Sequence, residues 1–251
     1  MYSILEHYLS TNHILMIGMI VTFILTFFLL EHPFSFLPSD QGRAFAVNGS
    51  LSKGKLRGVG FIFVLCFLIS SVLFLPIDVE YVIYAILLFA MMISGYLDDA
   101  SKTPWNEYKK GLIDLVISIV AVLTYMNFNS TTICFGADEI VIPKALFLIL
   151  GVILIWVSVN VTNCTDGVDG LCASLCSVTL LAFGVLFAPI LQKYAMANFL
   201  FLSVLFAYLY FNSSPSSMLM GDAGSRALGF YIAVIALKST HPFIYILLAA
   251  V

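Results

Sequence analysis

Residues 160–171 read NVTNCTDGVDGL, a polar, glycine-bearing island between two apolar stretches. Asp166 and Asp169 lie three apart with Gly167 and Gly170 interleaved, so the backbone can turn tightly and approach a ligand while two carboxylates converge on it. Asn160 and Asn163 precede them; an amide reads a base or sugar edge as both donor and acceptor, or caps a helix. A second cluster, GYLDDASK at 95–102, carries Asp98, Asp99 and Lys102. On a helix Asp98 and Lys102 share a face while Asp99 points about 100 degrees away, so the two acids serve different partners. Downstream, Lys109 and Lys110 open the next apolar stretch, where a lysine either flanks the membrane or holds phosphate. The third cluster, NSSPSSMLMGDAGSRALG at 212–229, holds Asn212 and sets Asp222 between Gly221 and Gly224. Amides at such a helix start favour an anion, and Asp222 among them is placed to ligate a metal bridging to it. Alone, each cluster is also an ordinary turn, capped helix end or ion pair. Together, acids suited to a hard divalent cation, lysines suited to phosphate and asparagines suited to a base point to metal-assisted transfer from a nucleotide diphosphate.

The elements that must position these residues are membrane helices. The chain has 251 residues, 61% hydrophobic and 10% charged, with mean hydropathy +1.06, far outside the range of a water-soluble domain. Apolar stretches run over 14–30, 58–75, 81–97, 111–126, 145–162, 171–191, 196–211 and 226–240, and a last one starts near 243. At about 20 residues per crossing, this is an all-α polytopic membrane protein, a bundle of about nine transmembrane helices in one domain spanning 1–251. The net charge of −3 and the lack of a basic tract exclude nucleic-acid binding. The five cysteines are scattered without metal or redox spacing. No cleavable signal peptide precedes the first stretch, which reads as a retained span.

Alternate threading puts the loops 31–57, 98–110, 163–170 and 212–225 on one side. With Arg226 at their edge they carry Arg43, Lys53, Lys55, Arg57, Lys102, Lys109, Lys110 and Arg226, against Lys144, Lys193 and Lys238 opposite. The positive-inside rule makes the first side cytoplasmic and the N-terminus external. Asp98, Asp99, Asp166, Asp169 and Asp222 then all fall at cytoplasmic helix ends. Carboxylates are costly near hydrocarbon, so their gathering points to a shared polar cleft opening to the cytoplasm, with a lipid as second substrate. The opposite loop 127–143 is expected to form a short hairpin around residues 135–138.

The segments GYLDDASK, NVTNCTDGVDG and MLMGDAGSRALG resemble the three cytoplasmic signatures of the polyprenyl-phosphate N-acetylhexosamine 1-phosphate transferases. The Asn-x-Thr-Asp-Gly-x-Asp-Gly form is most similar to the branch that transfers phospho-N-acetylmuramoyl-pentapeptide. The match runs in order over roughly residues 40–240. It implies a bacterial inner-membrane enzyme, Mg²⁺-dependent, in which undecaprenyl phosphate attacks UDP-N-acetylmuramoyl-pentapeptide to give lipid I and UMP. Carried over by position, it implies that Asp222 ligates Mg²⁺ and that Asp98 deprotonates or orients the lipid phosphate with Asp99 beside it. It further implies that Lys102 and Lys110 hold phosphates, that Asn163, Asp166, Asp169 and Asn212 line the nucleotide pocket, and that Lys53 is the lysine of the family's first cytoplasmic loop. It is also consistent with a homodimer. The chain departs from the family after Lys53, where Gly-Thr-Pro-Thr-Met-Gly-Gly is replaced by residues 54–60, GKLRGVG. It departs again at Leu219, where the family has a Phe that stacks on uracil. The family continues into a tenth helix and a histidine-rich cytoplasmic loop beyond Val251, so the chain is expected to be C-terminally incomplete.

Three other functions compete. A sister enzyme of the same superfamily transfers N-acetylglucosamine 1-phosphate; the Thr165–Asp166 pairing favours the muramoyl donor. An intramembrane aspartyl protease needs Tyr-Asp and Gly-x-Gly-Asp, but Leu97 separates Tyr96 from Asp98 and Leu219 replaces the first glycine. A cation-coupled transporter places its acids near the midplane on broken helices, not at one face.

Overall fold

The computed structural model describes residues 1–32, 34–40, 42, 53–101, 103, 105–136 and 138–249, so Lys102 and Arg43 lie outside the described residues. In chain order the elements are α1 (Tyr2–Leu5), α2 (Thr11–Glu31), α3 (Gly60–Phe74), α4 (Val79–Asp99) and α5 (Glu107–Phe128). They continue with strands β1 (Thr132–Phe135) and β2 (Asp138–Val141), then α6 (Lys144–Thr165), α7 (Leu171–Leu186), α8 (Ala188–Leu191), α9 (Lys193–Asn212), α10 (Gly221–Lys238) and α11 (Pro242–Ala249). The strands pair antiparallel, Thr132 opposite Val141 and Phe135 opposite Asp138, as the hairpin expectation required. The protein is an all-α multi-pass membrane protein apart from this hairpin. The expected apolar stretches fall on helices, with 171–191 divided between α7 and α8. Length and composition alone support five of the expected spans, α2, α4, α5, α6 and α9, while α3 and α7 are apolar but shorter.

Lipid as solvent explains which face α2 buries. On α2 the buried residues are Ile14, Gly18, Thr22, Thr26 and Leu30, one every four positions, while Ile17, Ile20, Phe23, Ile24 and Phe28 are exposed. Between Ile14 and Leu30 the residues packed against the bundle, Gly18, Thr22 and Thr26, are small or hydroxylated while large apolar ones face outward, the pattern expected where acyl chains rather than water surround the helix. In contrast, α10 is buried from Gly221 to Leu237 and therefore sheathed on every side. It packs on α3, α4 and α6 and forms the axis of the molecule. Aromatic stacking fixes its neighbours, with Phe67 and Phe201 at 4.2 Å and Tyr231 edge-on to both.

Charges anchor this axis at both ends. At the end away from the three motifs, Lys238 of α10 donates to both oxygens of Glu80 at 3.1 and 3.0 Å and to Asn129 at 2.7 Å, and lies over the Tyr194 ring. One turn into the helix from Asp222, Arg226 of α10 pairs with Asp114 of α5, each 2% exposed. Near the other end, Gly95 lets α4 approach closely: a Cβ there would stand 2.3 Å from the Asp222 carbonyl oxygen. That contact brings the last turn of α4 against the first turn of α10.

Candidate active site

The site is assembled from four short pieces of chain. The last turn of α4 supplies Asp98 and Asp99, the first turn of α5 supplies Lys110, and the first turn of α10 supplies Asp222. The fourth piece is the segment 53–59 before α3, held by backbone pairing. Leu56 bridges to Ser39 on one side and to Met218 on the other. Its carbonyl accepts from Leu219 N–H at 2.8 Å, and Arg57 N–H donates to Pro38 C=O at 2.8 Å. This segment is laid across the top of the bundle and aims Lys55 and Arg57 into it.

Lys110 Nζ lies 2.6 Å from Asp98 and 3.3 Å from Asp222. Asp98 also accepts the Trp105 N–H at 2.7 Å, which fixes its orientation. Arg57 places Nε 2.8 Å from Asp99, Nη2 3.3 Å from Asp222 and Nη1 3.4 Å from Asp40. Burial works against the Arg57 charge, but Asp99, Asp222 and Asp40 offset it and hold the guanidinium above its ordinary pKa. The carboxylates are nearly inaccessible, with side-chain exposures of 0% for Asp99, 5% for Asp98 and 9% for Asp222. Arg57, Asp98, Asp99 and Lys110 line a cavity of about 440 Å³.

Asp99 has a second task. Its Oδ2 accepts Ala223 N–H at 3.1 Å, so the anion expected at the start of α10 is this side chain. Gly221 permits the approach: its φ is +66°, and a Cβ there would stand 2.4 Å from Asp99 Oδ2. Lys109, beside Lys110, turns away and lies 3.3 Å over the Trp105 ring.

A second cluster joins the island at 160–171 to the loop before α10. Ser216 donates to Asp169 from its N–H at 2.9 Å and from Oγ at 2.8 Å, while Lys55 donates to Ser216 Oγ at 2.8 Å. Burial tends to raise the Asp169 carboxyl, but the two bonds from Ser216 and the charge of Lys55 hold it below its ordinary value. Asn212, 2% exposed, accepts Gly170 N–H and donates to Met218 C=O, each at 3.0 Å. It therefore clasps two loops together. Asn163 donates to Ser225, one turn along α10 from Asp222, at 3.0 Å. Asp166 caps the end of α6 and is half-buried. None of Asn163, Asp166, Asp169 and Asn212 lines the 440 Å³ cavity.

The remaining expected residues are placed differently. Asn160 is exposed and its amide donates to Trp156 C=O of its own helix at 2.7 Å, so it faces away from the cluster. Lys53 is exposed, and the basic residues of its segment that reach the carboxylates are Lys55 and Arg57. Lys102 falls outside the described residues. Sequence reasoning counted Lys55 and Arg57 only as loop charges and passed over Asp40 and Ser216. The available signal was the density of basic residues in GKLRG, directly before a helix.

The family whose profile matches residues 81–240 is described as glycosyl transferase family 4. Three relatives all carry the name phospho-N-acetylmuramoyl-pentapeptide-transferase. The one from Treponema pallidum (strain Nichols) is 34% identical, the alignment covering 94% of this chain and 71% of the relative. That from Microcystis aeruginosa is 32% identical over 72% of this chain and 53% of its own length. That from Halalkalibacterium halodurans is 28% identical over 96% and 79%.

Proposed function

The chain belongs to glycosyl transferase family 4, and from that premise we propose that it transfers phospho-N-acetylmuramoyl-pentapeptide from its UDP-linked precursor to undecaprenyl phosphate, giving lipid I and UMP for peptidoglycan synthesis. The observation that carries this reading is the ammonium of Lys110 between Asp98 and Asp222, with the guanidinium of Arg57 on the far side of Asp222. Carboxylates and cations from separate helices meet there beside a cavity. A phosphate oxygen of the lipid forms a bond to the sugar-bearing phosphorus, and the bond from that phosphorus to UMP breaks, its electron pair leaving with UMP. Charge moves onto phosphate oxygens during this exchange, so fixed cations and positioning supply most of the catalysis.

Lys110 is placed to take up that charge. Asp98, tied to Lys110 and to the Trp105 N–H, orients it and, through it, the lipid phosphate; a phosphate monoester is already largely ionised at neutral pH and needs little deprotonation. Asp222 provides the hard oxygens suited to Mg²⁺. Among the described residues no group of three or more acid, His or Cys side chains forms a metal-ligating set. The chain's own share would be one or two carboxylates, the usual protein contribution to Mg²⁺ bound with substrate phosphates. When bound, Mg²⁺ would neutralise the diphosphate and stabilise the leaving UMP. The same end of the bundle carries most of the loop Lys and Arg residues, which supports a cytoplasm-facing site in a bacterial inner membrane.

Incubating the purified chain in detergent with Mg²⁺, undecaprenyl phosphate and either UDP-N-acetylmuramoyl-pentapeptide or UDP-N-acetylglucosamine tests the reading, with the lipid product identified by mass. A lipid-linked muramoyl-pentapeptide is expected. A product formed only from UDP-N-acetylglucosamine would move the chain to the sister activity, and no product from either donor would contradict the transfer itself.

A further inference from the structure

Arg57 reaches the site from a segment whose sequence departs from the family pattern, and its guanidinium touches three carboxylates at once. Asp99 is the anchor, at 2.8 Å from Nε, whereas the two terminal nitrogens reach Asp222 and Asp40 at 3.3 and 3.4 Å. A guanidinium has five N–H groups in a planar fork, so these contacts leave donors over. The side chain is 28% exposed, against 0%, 9% and 2% for Asp99, Asp222 and Asp40, and it lines the 440 Å³ cavity. Arg57 is thus the accessible partner of inaccessible carboxylates. Its backbone is fixed by the Arg57 N–H to Pro38 hydrogen bond and by the pairing of Leu56 to Met218, so the fork can pivot on Asp99 without moving the segment.

The local charge balance gives that pivot a direction. Among the described residues, Arg57 and Lys110 contact five carboxylates, the exposed Glu107 and the nearly buried Asp40, Asp98, Asp99 and Asp222. Arg57 and Lys110 both pair with Asp222, and losing one cation from a nearly buried carboxylate is destabilising, so Arg57 releases Asp222 readily only as another cation arrives. A divalent cation on Asp222 meets that condition. It leaves the terminal nitrogens of Arg57 beside the cavity, in the geometry that pairs bidentately with phosphate.

We propose that Arg57 is the resident counter-ion of the cleft, occupying Asp222 until a divalent cation takes its place and then turning its fork to the diphosphate of the nucleotide-sugar. Arg57 is therefore a positioning and phosphate-reading residue. The inference rests on the transferase reading and specifies how its donor enters.

The test uses the full chain in detergent with Mn²⁺ as probe, followed by electron paramagnetic resonance, and UDP as the diphosphate probe, followed by calorimetry at saturating Mn²⁺. Removing the competing charge in Arg57→Gln is expected to tighten Mn²⁺ binding without nucleotide by about tenfold and to weaken UDP by a similar factor. Arg57→Lys keeps the charge without the fork, so Mn²⁺ affinity stays near that of the unaltered chain while UDP still weakens. Should Arg57→Gln fail to fold, Arg57→Lys carries the decisive UDP arm, because it keeps the carboxylates compensated. Unaltered Mn²⁺ and UDP affinities in the variants, with the parent chain binding both probes, would overturn the inference alone. A parent chain that bound neither probe would overturn the transferase reading with it.

Discussion

Asp98 and Asp222, from the end of α4 and the start of α10, share the single ammonium of Lys110 at 2.6 and 3.3 Å. The two helices lie against each other at Gly95, so the ammonium closes a junction that backbone packing has already brought together. Replacing Lys110 with Met leaves two nearly buried carboxylates facing each other without their common cation. UMP release is expected to fall about 10²- to 10³-fold, the usual effect of removing one charge-stabilising group, with the larger change in kcat. Steady-state kinetics in detergent check this.

Gly95→Ala addresses the same junction through the backbone. The new methyl would stand 2.3 Å from the Asp222 carbonyl, an approach that real Cβ atoms do not make, so α4 and α10 must separate. A loss of about 1–3 kcal/mol is expected from overpacking, read as a lower unfolding temperature, together with lost activity.

The Asp114–Arg226 pair one turn below allows a double-mutant comparison. Both residues are 2% exposed, and among the described residues Arg226 Nε and Nη1 have no hydrogen-bond partner. Asp114→Asn leaves a buried guanidinium uncompensated and is expected to cost about 3–5 kcal/mol. Combining Asp114→Leu with Arg226→Met removes both charges and is expected to recover most of that loss. Urea or thermal unfolding of the single and double variants measures the difference.

Asp169 gives a pH dependence of defined sign. Its carboxyl is held below its ordinary value in the fold, so the Ser216–Asp169–Lys55 clasp contributes stability above the unfolded carboxylate pKa of about 3.9. That contribution is lost as pH falls through the lower folded value. The difference in unfolding temperature between the parent chain and Asp169→Asn is expected to stay constant from pH 7 to about 4 and to shrink below that. A difference that vanished already between pH 6 and 5 would contradict the clasp.

The gathering of Asp98, Asp99, Asp166, Asp169 and Asp222 at one end was legible in the sequence because a carboxylate in so apolar a chain is costly anywhere but a helix end or a site. The hairpin at 132–141 was legible from its β-branched residues and central Gly136. The central place of α10 was not: the sequence marks 226–240 as one apolar stretch among nine, whereas the helix is buried from Gly221 to Leu237, a property set by its neighbours. Arg57 was equally hidden. Its reach to Asp99 and Asp222 depends on Leu56 pairing with Met218, a contact between residues distant in sequence that no local pattern announces. Asn160 misled for the opposite reason, since its neighbourhood matched the motif while its helix phase turned the amide outward to Trp156.

The central claim is that carboxylates and cations around Asp222 carry the transfer, and the most direct measurement is release of UMP from UDP-N-acetylmuramoyl-pentapeptide with undecaprenyl phosphate. It is run with and without Mg²⁺, for the parent chain and for Asp222→Ala in parallel. Mg²⁺-dependent release by the parent chain, reduced at least about 10²-fold in the variant, is the expected result. Equal release by a folded Asp222→Ala variant would contradict the account.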